Sequence, residues 1–338
     1  MAQATVTSKR STVETQGHLA PREQSAASRE RIIVETRDLV KRYEGVTAVD
    51  GLSFQLREGE IFGLLGPNGA GKTTTILMLM GLTEPTSGSV SVIGYDPVRQ
   101  PLQVKRNVGY LPEHVAMYDD LSAQENLYYT ADLNGLSKVE AKARVHYALE
   151  RVGLAEVAHK KVGTFSHGMR QRLGIADVLV KKPRLIILDE PTIGLDPEAV
   201  NQLLDLILAM QKEEHLTVLL SSHQLQQVQR ICSRVGIFVK GRMIAQGSIE
   251  QLAEQLAGGK RTLEVAAQPS GSELVAALQS IPGVISVELA GDHWRVGATE
   301  EVRPAIARTI AERGWSLYHL RQRDYGLEEI YLKYFQGA

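Results

Sequence analysis

Hydrophobic positions along this chain come in short blocks whose spacing switches between strand-like and helix-like periods. The runs Ile32 to Val34, Ala48 to Phe54 and Ser89 to Ile93 are rich in apolar and β-branched residues, bounded by Gly, Asp or Pro, and predict strands, with Glu60 to Leu65 a further one between them. Leu185 to Leu188 is unbroken by polar residues, as in a strand buried on both faces of a parallel sheet. Helical signals separate these runs. Ser122 with Glu125 and Ser137 with Glu140 are capping-box pairs, and Gly153 stops the second helix. Ser166 is placed as the N-cap of a helix running through Leu173, Ala176 and Leu179 to Lys182-Pro183.

After Gly258-Gly259 the pattern starts afresh. It reads strand (Thr262 to Ala267), helix from Ser270 with Glu273 as capping partner, strand (Val284 to Leu289), a turn at Gly291-Asp292 and strand (Trp294 to Ala298). A helix (Glu300 to Arg313, stopped by Gly314) and a strand (Trp315 to Leu320) complete it. That order predicts a ferredoxin-like α+β unit. A closing helix would carry Leu327, Ile330, Tyr331 and Tyr334 on one face.

A length of 338 residues suits about two domains at roughly 150 residues each. The first thirty residues are Ser, Thr, Ala, Gln and mixed charges, too poor in apolar side chains to order themselves, and predict a disordered tail. They lack the apolar stretch of a signal peptide. The divisions predicted are therefore a tail over 1–30, an α/β domain over 31–257 with a helical subdomain at about 101–180, and an accessory unit over 262–338. A net charge of −1, with no Lys/Arg run, argues against nucleic acid as a partner. The only cysteine, Cys232, excludes an internal disulfide framework. The longest apolar run, Ile76 to Leu82, is far short of the ~18 residues of a membrane helix, so no spanning segment is predicted.

The densest chemistry lies at Gly66-Pro67-Asn68-Gly69-Ala70-Gly71-Lys72-Thr73, followed by Thr74, between a predicted strand and a predicted helix. This matches G-x-x-x-x-G-K-[ST], the phosphate-binding loop of P-loop NTPases. Glycines let successive N–H groups turn toward phosphate oxygens, and the helix N-terminus adds its dipole. Lys72 would reach the β- and γ-phosphates, and the Thr73 hydroxyl would ligate Mg²⁺. A chance match in a chain of this length is on the order of one in a hundred at ordinary glycine usage.

The apolar run at 185–188 ends in Asp189-Glu190, 117 residues after Lys72. Ligands in open α/β sheets sit at the carboxyl ends of strands, so both carboxylates should arrive at the phosphates. Asp189 suits the Mg²⁺ side and Glu190 the base that orients attacking water. Alone such a run is weak evidence; paired with the phosphate loop it is strong.

Phe165-Ser166-His167-Gly168-Met169-Arg170-Gln171-Arg172 begins 25 residues before Glu190, where the ATP-binding cassette family carries its signature, usually written L-S-G-G-Q. The chain resembles that family over about residues 31 to 255. Gly194-Leu195-Asp196 resembles the family's D-loop, His223 its switch histidine and Tyr43 its adenine-stacking aromatic. The resemblance implies a RecA-like parallel-sheet core with antiparallel β and helical subdomains, and ATP with Mg²⁺ as cofactors. It also implies a head-to-tail homodimer in which Ser166 and Gly168 of one copy close over ATP held by Lys72 and Thr73 of the other. Asp196 would sit at the shared interface, and His223 would contact the γ-phosphate. A separately encoded membrane permease is the implied partner, with the chain peripheral on the cytoplasmic face of the membrane.

Two positions depart from the family pattern. Glu113 stands after Tyr110-Leu111-Pro112 where many members place a glutamine that contacts Mg²⁺ and the permease, and the signature has His167 and Met169 in place of Gly and Gln. Both look like the export-type ABC-2 branch. The accessory unit admits two readings, a packing or dimerisation domain and a ligand-sensing one as in methionine-importer cassettes. A single-cassette ATP switch is the alternative to a transport ATPase.

Overall fold

The computed structural model describes residues 31–258, 261–323 and 326–336; the predicted tail over 1–30 lies outside the described residues. Two long strands, β1 (Ile32–Tyr43) and β2 (Val46–Arg57), pair as an antiparallel hairpin. β3 (Ile61–Leu65) then leaves for a second sheet, and α1 (Lys72–Leu79) leads to β4 (Ser87–Val92), which returns to β1 in the order β2-β1-β4. β1 runs nine residues past the three-residue apolar block that announces it. Its alternation is interrupted by register shifts near Asp38, which takes a left-handed backbone (φ 46°) and donates its N–H to Ser53 Oγ at 2.8 Å. A bulge moves side chains off the period of two, which hides a strand from pattern reading.

The second sheet has β3 near its centre, with β5 (Val108–Leu111), β6 (Leu185–Asp189), β7 (Thr217–Ser222), β8 (Arg234–Val239) and β9 (Arg242–Gly247). Its order is β5-β6-β7-β3-β8-β9, parallel except for the β8/β9 pair. β3, β6 and β7 are buried at every residue, which explains their unbroken apolar character. α2 (Pro101–Asn107) precedes β5. α3 (Ala123–Leu133), α4 (Lys138–Arg151) and α5 (His167–Val180) then pack together between β5 and β6. The capping boxes at Ser122 and Ser137 form as predicted. Gly153, at φ 68°, ends α4 with Leu154 N–H on Leu149 O (2.8 Å) and Gly153 N–H on Glu150 O (3.0 Å), a Schellman closure. α6 (Pro197–Glu214), α7 (Leu225–Ile231) and α8 (Ile249–Ala257) complete this unit.

The remaining strands, β10 (Arg261–Gln268), β11 (Val284–Ala290), β12 (His293–Ala298) and β13 (Ser316–Gln322), form an antiparallel sheet ordered β11-β12-β10-β13. With α9 (Ser272–Gln279) and α10 (Arg303–Glu312) this is the βαββαβ arrangement, and its core of Leu263, Val265, Leu274, Leu278, Val296 and Ile306 is separate from the others. α9 starts later than the Ser270 cap predicted: Gly271 is its N-cap, and no side chain caps it. The closing helix α11 (Leu327–Gln336) does not join that core. Leu327 and Ile330 are fully buried in the cassette-side core with residues of α7 and α8.

Candidate active site

β3 delivers the chain into the phosphate loop, and α1 begins immediately after Gly71. Gly71 has φ 108°, and a Cβ there would stand 2.4 Å from Ala48 O; one at Gly66 would stand 2.5 Å from Phe238 O. Both glycines are therefore fixed by neighbouring backbone. Gly69 (φ 77°) differs, since nothing lies within 4 Å of a Cβ there, and the loop crest of Asn68 and Gly69 faces open space. Pro67 and Thr74 are half-buried, Ala70 is buried and the Thr73 side is exposed. Lys72 folds back inside the loop, donating from Nζ to Gly66 O at 2.7 Å and Pro67 O at 3.2 Å.

β6 lies between β5 and β7, in a register that sets Asp189 opposite Ser221. Asp189 accepts a short hydrogen bond from Ser221 Oγ. Burial holds the Asp189 carboxyl above its ordinary range; hydrogen bonds from Ser221 and Thr73 oppose the rise, Glu190 adds to it and Lys72 counters it. Glu190 follows in a left-handed backbone (φ 48°), its N–H on Ser221 Oγ at 3.0 Å and Ser221 O at 3.2 Å. Such a conformation costs of order 1–3 kcal/mol for a residue with a side chain and persists where the surroundings fix it.

The Glu190 carboxylate then divides its two oxygens. Oε1 lies 3.1 Å from Lys72 Nζ, and Oε2 takes a hydrogen bond from His223 Nδ1 at 2.9 Å. Because the carboxylate has no proton to give, Nδ1 is the donor. Oε1 is within ion-pair distance of Lys72 yet lacks a hydrogen bond of acceptable direction. The charge is paired while Oε1, closed to solvent, makes no directed hydrogen bond.

Sequence reasoning missed three participants. Ser221 donates to the Asp189 carboxylate and accepts the backbone N–H of Glu190, so it fixes one carboxylate directly and the backbone of the other. Tyr110 lies near Asp189 and Glu113; burial first, then those two charges, push its hydroxyl up to about 12, so it stays neutral. Thr192 Oγ1 donates to Gln227 Oε1, and Gln227 Nε2 to Gln224 Oε1, linking the segment after Glu190 to that after His223. A hydroxyl or amide has no sequence signature; only its neighbours reveal it.

The structure thus brings together Lys72, Thr73, Asp189, Glu190 and His223. The other predicted residues stand apart from that group. Ser166 caps α5, accepting from Met169 N–H at 3.2 Å, and Asp196 caps α6, accepting from Ala199 N–H at 2.9 Å. With Gly168 they line a separate cavity of about 180 Å³. Tyr43 is 47% exposed at the end of β1, with Lys41 Nζ 4.8 Å from its ring centre. Glu113 is exposed.

The donor set fits a nucleotide triphosphate and one divalent cation. Gly69 leaves the loop crest open, Lys72 supplies a buried cation, and one hydroxyl and one carboxylate converge at Thr73 and Asp189. No group of three His, Cys, Asp or Glu side chains that could hold a metal ion exists among the described residues.

Comparison with known proteins decides the family. The ABC transporter family profile matches residues 49–193, spanning the phosphate loop, Ser166 and Glu190. The linearmycin resistance ATP-binding protein LnrL of Bacillus subtilis is 35% identical over 309 residues, covering 89% of this chain and 97% of that protein. The chain belongs to the ABC transporter ATP-binding proteins. It is an ATP-binding ATPase cassette. The daunorubicin/doxorubicin resistance ATP-binding protein DrrA of Streptomyces peucetius is 34% identical over 304 residues, 88% of this chain and 91% of that one. A solved ATP-binding subunit of an ABC transporter is similar with TM-score 0.61 at 34% identity, covering 67% of this chain and 93% of its own. Those long relatives extend the similarity well past the cassette, into the region of β10–β13.

Proposed function

We propose that this cassette is the ATP-hydrolysing subunit of an exporter, pairing head to tail with a second copy of itself and driving a separately encoded membrane permease. The single observation that carries the catalytic part is the buried Lys72–Glu190 pair with the exposed His223 hydrogen-bonded to the second Glu190 oxygen. Lys72 and the 66–73 loop N–H groups hold the β- and γ-phosphates, and Tyr43 stacks on the adenine. Thr73, Asp189 and Glu113 are the residues that would hold Mg²⁺, which would neutralise phosphate charge when bound. Glu190 orients the attacking water and takes its proton, while His223 holds Glu190 in place and contacts the γ-phosphate. Ser166 and Gly168 of the second copy, with Asp196 at the interface, seal the site.

Export is supported by the relatives' names, which include linearmycin and daunorubicin/doxorubicin resistance and Nod factor export. No helix among the described residues is long and apolar enough to cross a membrane. Attachment to the cytoplasmic face then comes through the permease, which the helical subdomain at 101–180 receives. Residues 31–257 form the catalytic domain, and 262–338 an accessory unit whose last helix packs against it.

Purified protein should release phosphate from ATP in the presence of Mg²⁺. Glu190→Gln should slow turnover by ~10²–10⁴-fold while ATP binding persists and a dimer accumulates. Full turnover by that variant removes Glu190 from its role, and a wild type that releases no phosphate overturns the assignment.

A further inference from the structure

The signature's departure from the family pattern has a structural counterpart. His167 opens α5, and its Nε2 lies 2.9 Å from the carbonyl oxygen of Ile193. A carbonyl only accepts, so Nε2 carries the proton. Ile193 belongs to the turn that starts at the base: its N–H donates to Glu190 O at 3.2 Å, and Leu195 N–H to Thr192 O at 3.3 Å. Gly194 follows at φ 74°, where a Cβ would come within 3.2 Å of His167 Nε2, and Asp196 then caps α6. Among the described residues, His167 makes the one side-chain hydrogen bond between α5 and the 190–196 turn. The rest of that junction is close packing: a Cβ at Gly168 would stand 3.3 Å from Ala199 Cβ, beside the cavity lined by Ser166, Met169 and Leu195. A glycine at 167 would supply no such tie.

We infer that His167 is a positioning residue that latches the turn sealing one nucleotide to the turn holding the base of the other, and so couples the two ATP sites of the dimer. The inference rests on the head-to-tail arrangement proposed above. In that arrangement each chain offers Ser166 to its partner's ATP while its own Glu190 faces its own ATP. The hydrogen bond makes Ile193 and the Ser166 turn move as one body, so a displacement of Glu190 at one site is passed to the seal of the other. Coupling of this kind is reciprocal for binding, and loss of the latch weakens it in both directions.

The test measures steady-state phosphate release against ATP concentration for the full chain, His167→Ala and His167→Gln, and ATP-driven dimerisation of Glu190→Gln with and without His167→Ala. The glutamine retains an N–H donor. His167→Ala should lower kcat by about 2- to 10-fold, the size set by one net hydrogen bond, and bring the Hill coefficient toward 1. ATP affinity of the single subunit should stay within about 2-fold, since the phosphate loop is untouched, and His167→Gln should recover both kcat and cooperativity. Wild-type kcat and cooperativity in His167→Ala overturn the inference. So does an effect confined to KM, which would make His167 a nucleotide contact, and so does a glutamine variant as impaired as the alanine. If Glu190→Gln alone never dimerises with ATP, the head-to-tail reading falls, and this inference with it.

Discussion

Lys72 Nζ and Glu190 Oε1 lie 3.1 Å apart with side chains only 5% and 6% exposed, so the cation proposed to grip phosphate and the base proposed to activate water neutralise one another. Removing one member of a buried pair strands the other charge, at roughly 3–5 kcal/mol. Lys72→Met should therefore lower the unfolding midpoint of the nucleotide-free protein as well as abolish ATP binding. Lys72→Met combined with Glu190→Gln should be less destabilised than Lys72→Met alone, because an amide needs no counter-charge. Chemical denaturation of the four proteins measures this coupling; strictly additive changes would show that the pair has no energetic standing.

His223 Nδ1 holds the second oxygen of Glu190 at 2.9 Å, and Glu190 sits on a left-handed backbone that Ser221 anchors. The carboxylate's aim thus depends on the imidazole. Hydrogen bonds to charged groups are worth about 1.5–3 kcal/mol, which translates into a fall in kcat of about 10- to 150-fold for His223→Ala. Affinity for ADP, which lacks the γ-phosphate that His223 would contact, should change far less, because Lys72 and the loop are intact. A His223→Ala protein with wild-type kcat would mean that Glu190 needs no such guide.

What could be read from the sequence and what could not divide along physical lines. The phosphate loop, the Asp189-Glu190 strand end and the capping boxes rest on local rules, in which a few consecutive residues dictate backbone geometry, and they appear where pattern places them. Ser221 and Gln227 act through contacts between segments about 30 residues apart or more, and their residue types are compatible with any solvated turn. β1 was legible only as its first three residues because the shifts near Asp38 break its alternation. His167 could be seen as a departure, but only the fold brings Ile193 O to it.

Two of the three loop glycines, Gly69 and Gly71, should respond differently to the same methyl group. At Gly71 a Cβ meets Ala48 O at 2.4 Å, and neither backbone can retreat without moving β2 away from α1; at Gly69 the Cβ enters open space. Gly69→Ala should cost only the left-handed penalty of about 1–2 kcal/mol, together with weaker ATP binding through crowding of the loop crest. Gly71→Ala should lose far more stability. Equal unfolding midpoints for the two variants would contradict the packing of β2 against the loop.

The closing helix offers a test of which unit it serves. Leu327 and Ile330 have no exposed surface, Leu327 N–H donates to Gln229 Oε1 at 3.2 Å, and Tyr334 hydroxyl to Gln255 Oε1 at 3.1 Å, all toward α7 and α8. Leu332, on the other face, is 50% exposed. Leu327→Ala should cost ~2–5 kcal/mol and Leu332→Ala within ~0.5 kcal/mol. Because α7 begins two residues after His223, amide exchange in 225–231 should rise in Leu327→Ala while that of β10 to β13 stays unchanged. Faster exchange confined to the four-stranded sheet would instead assign the helix to the accessory unit, and would leave α7 held by the cassette alone.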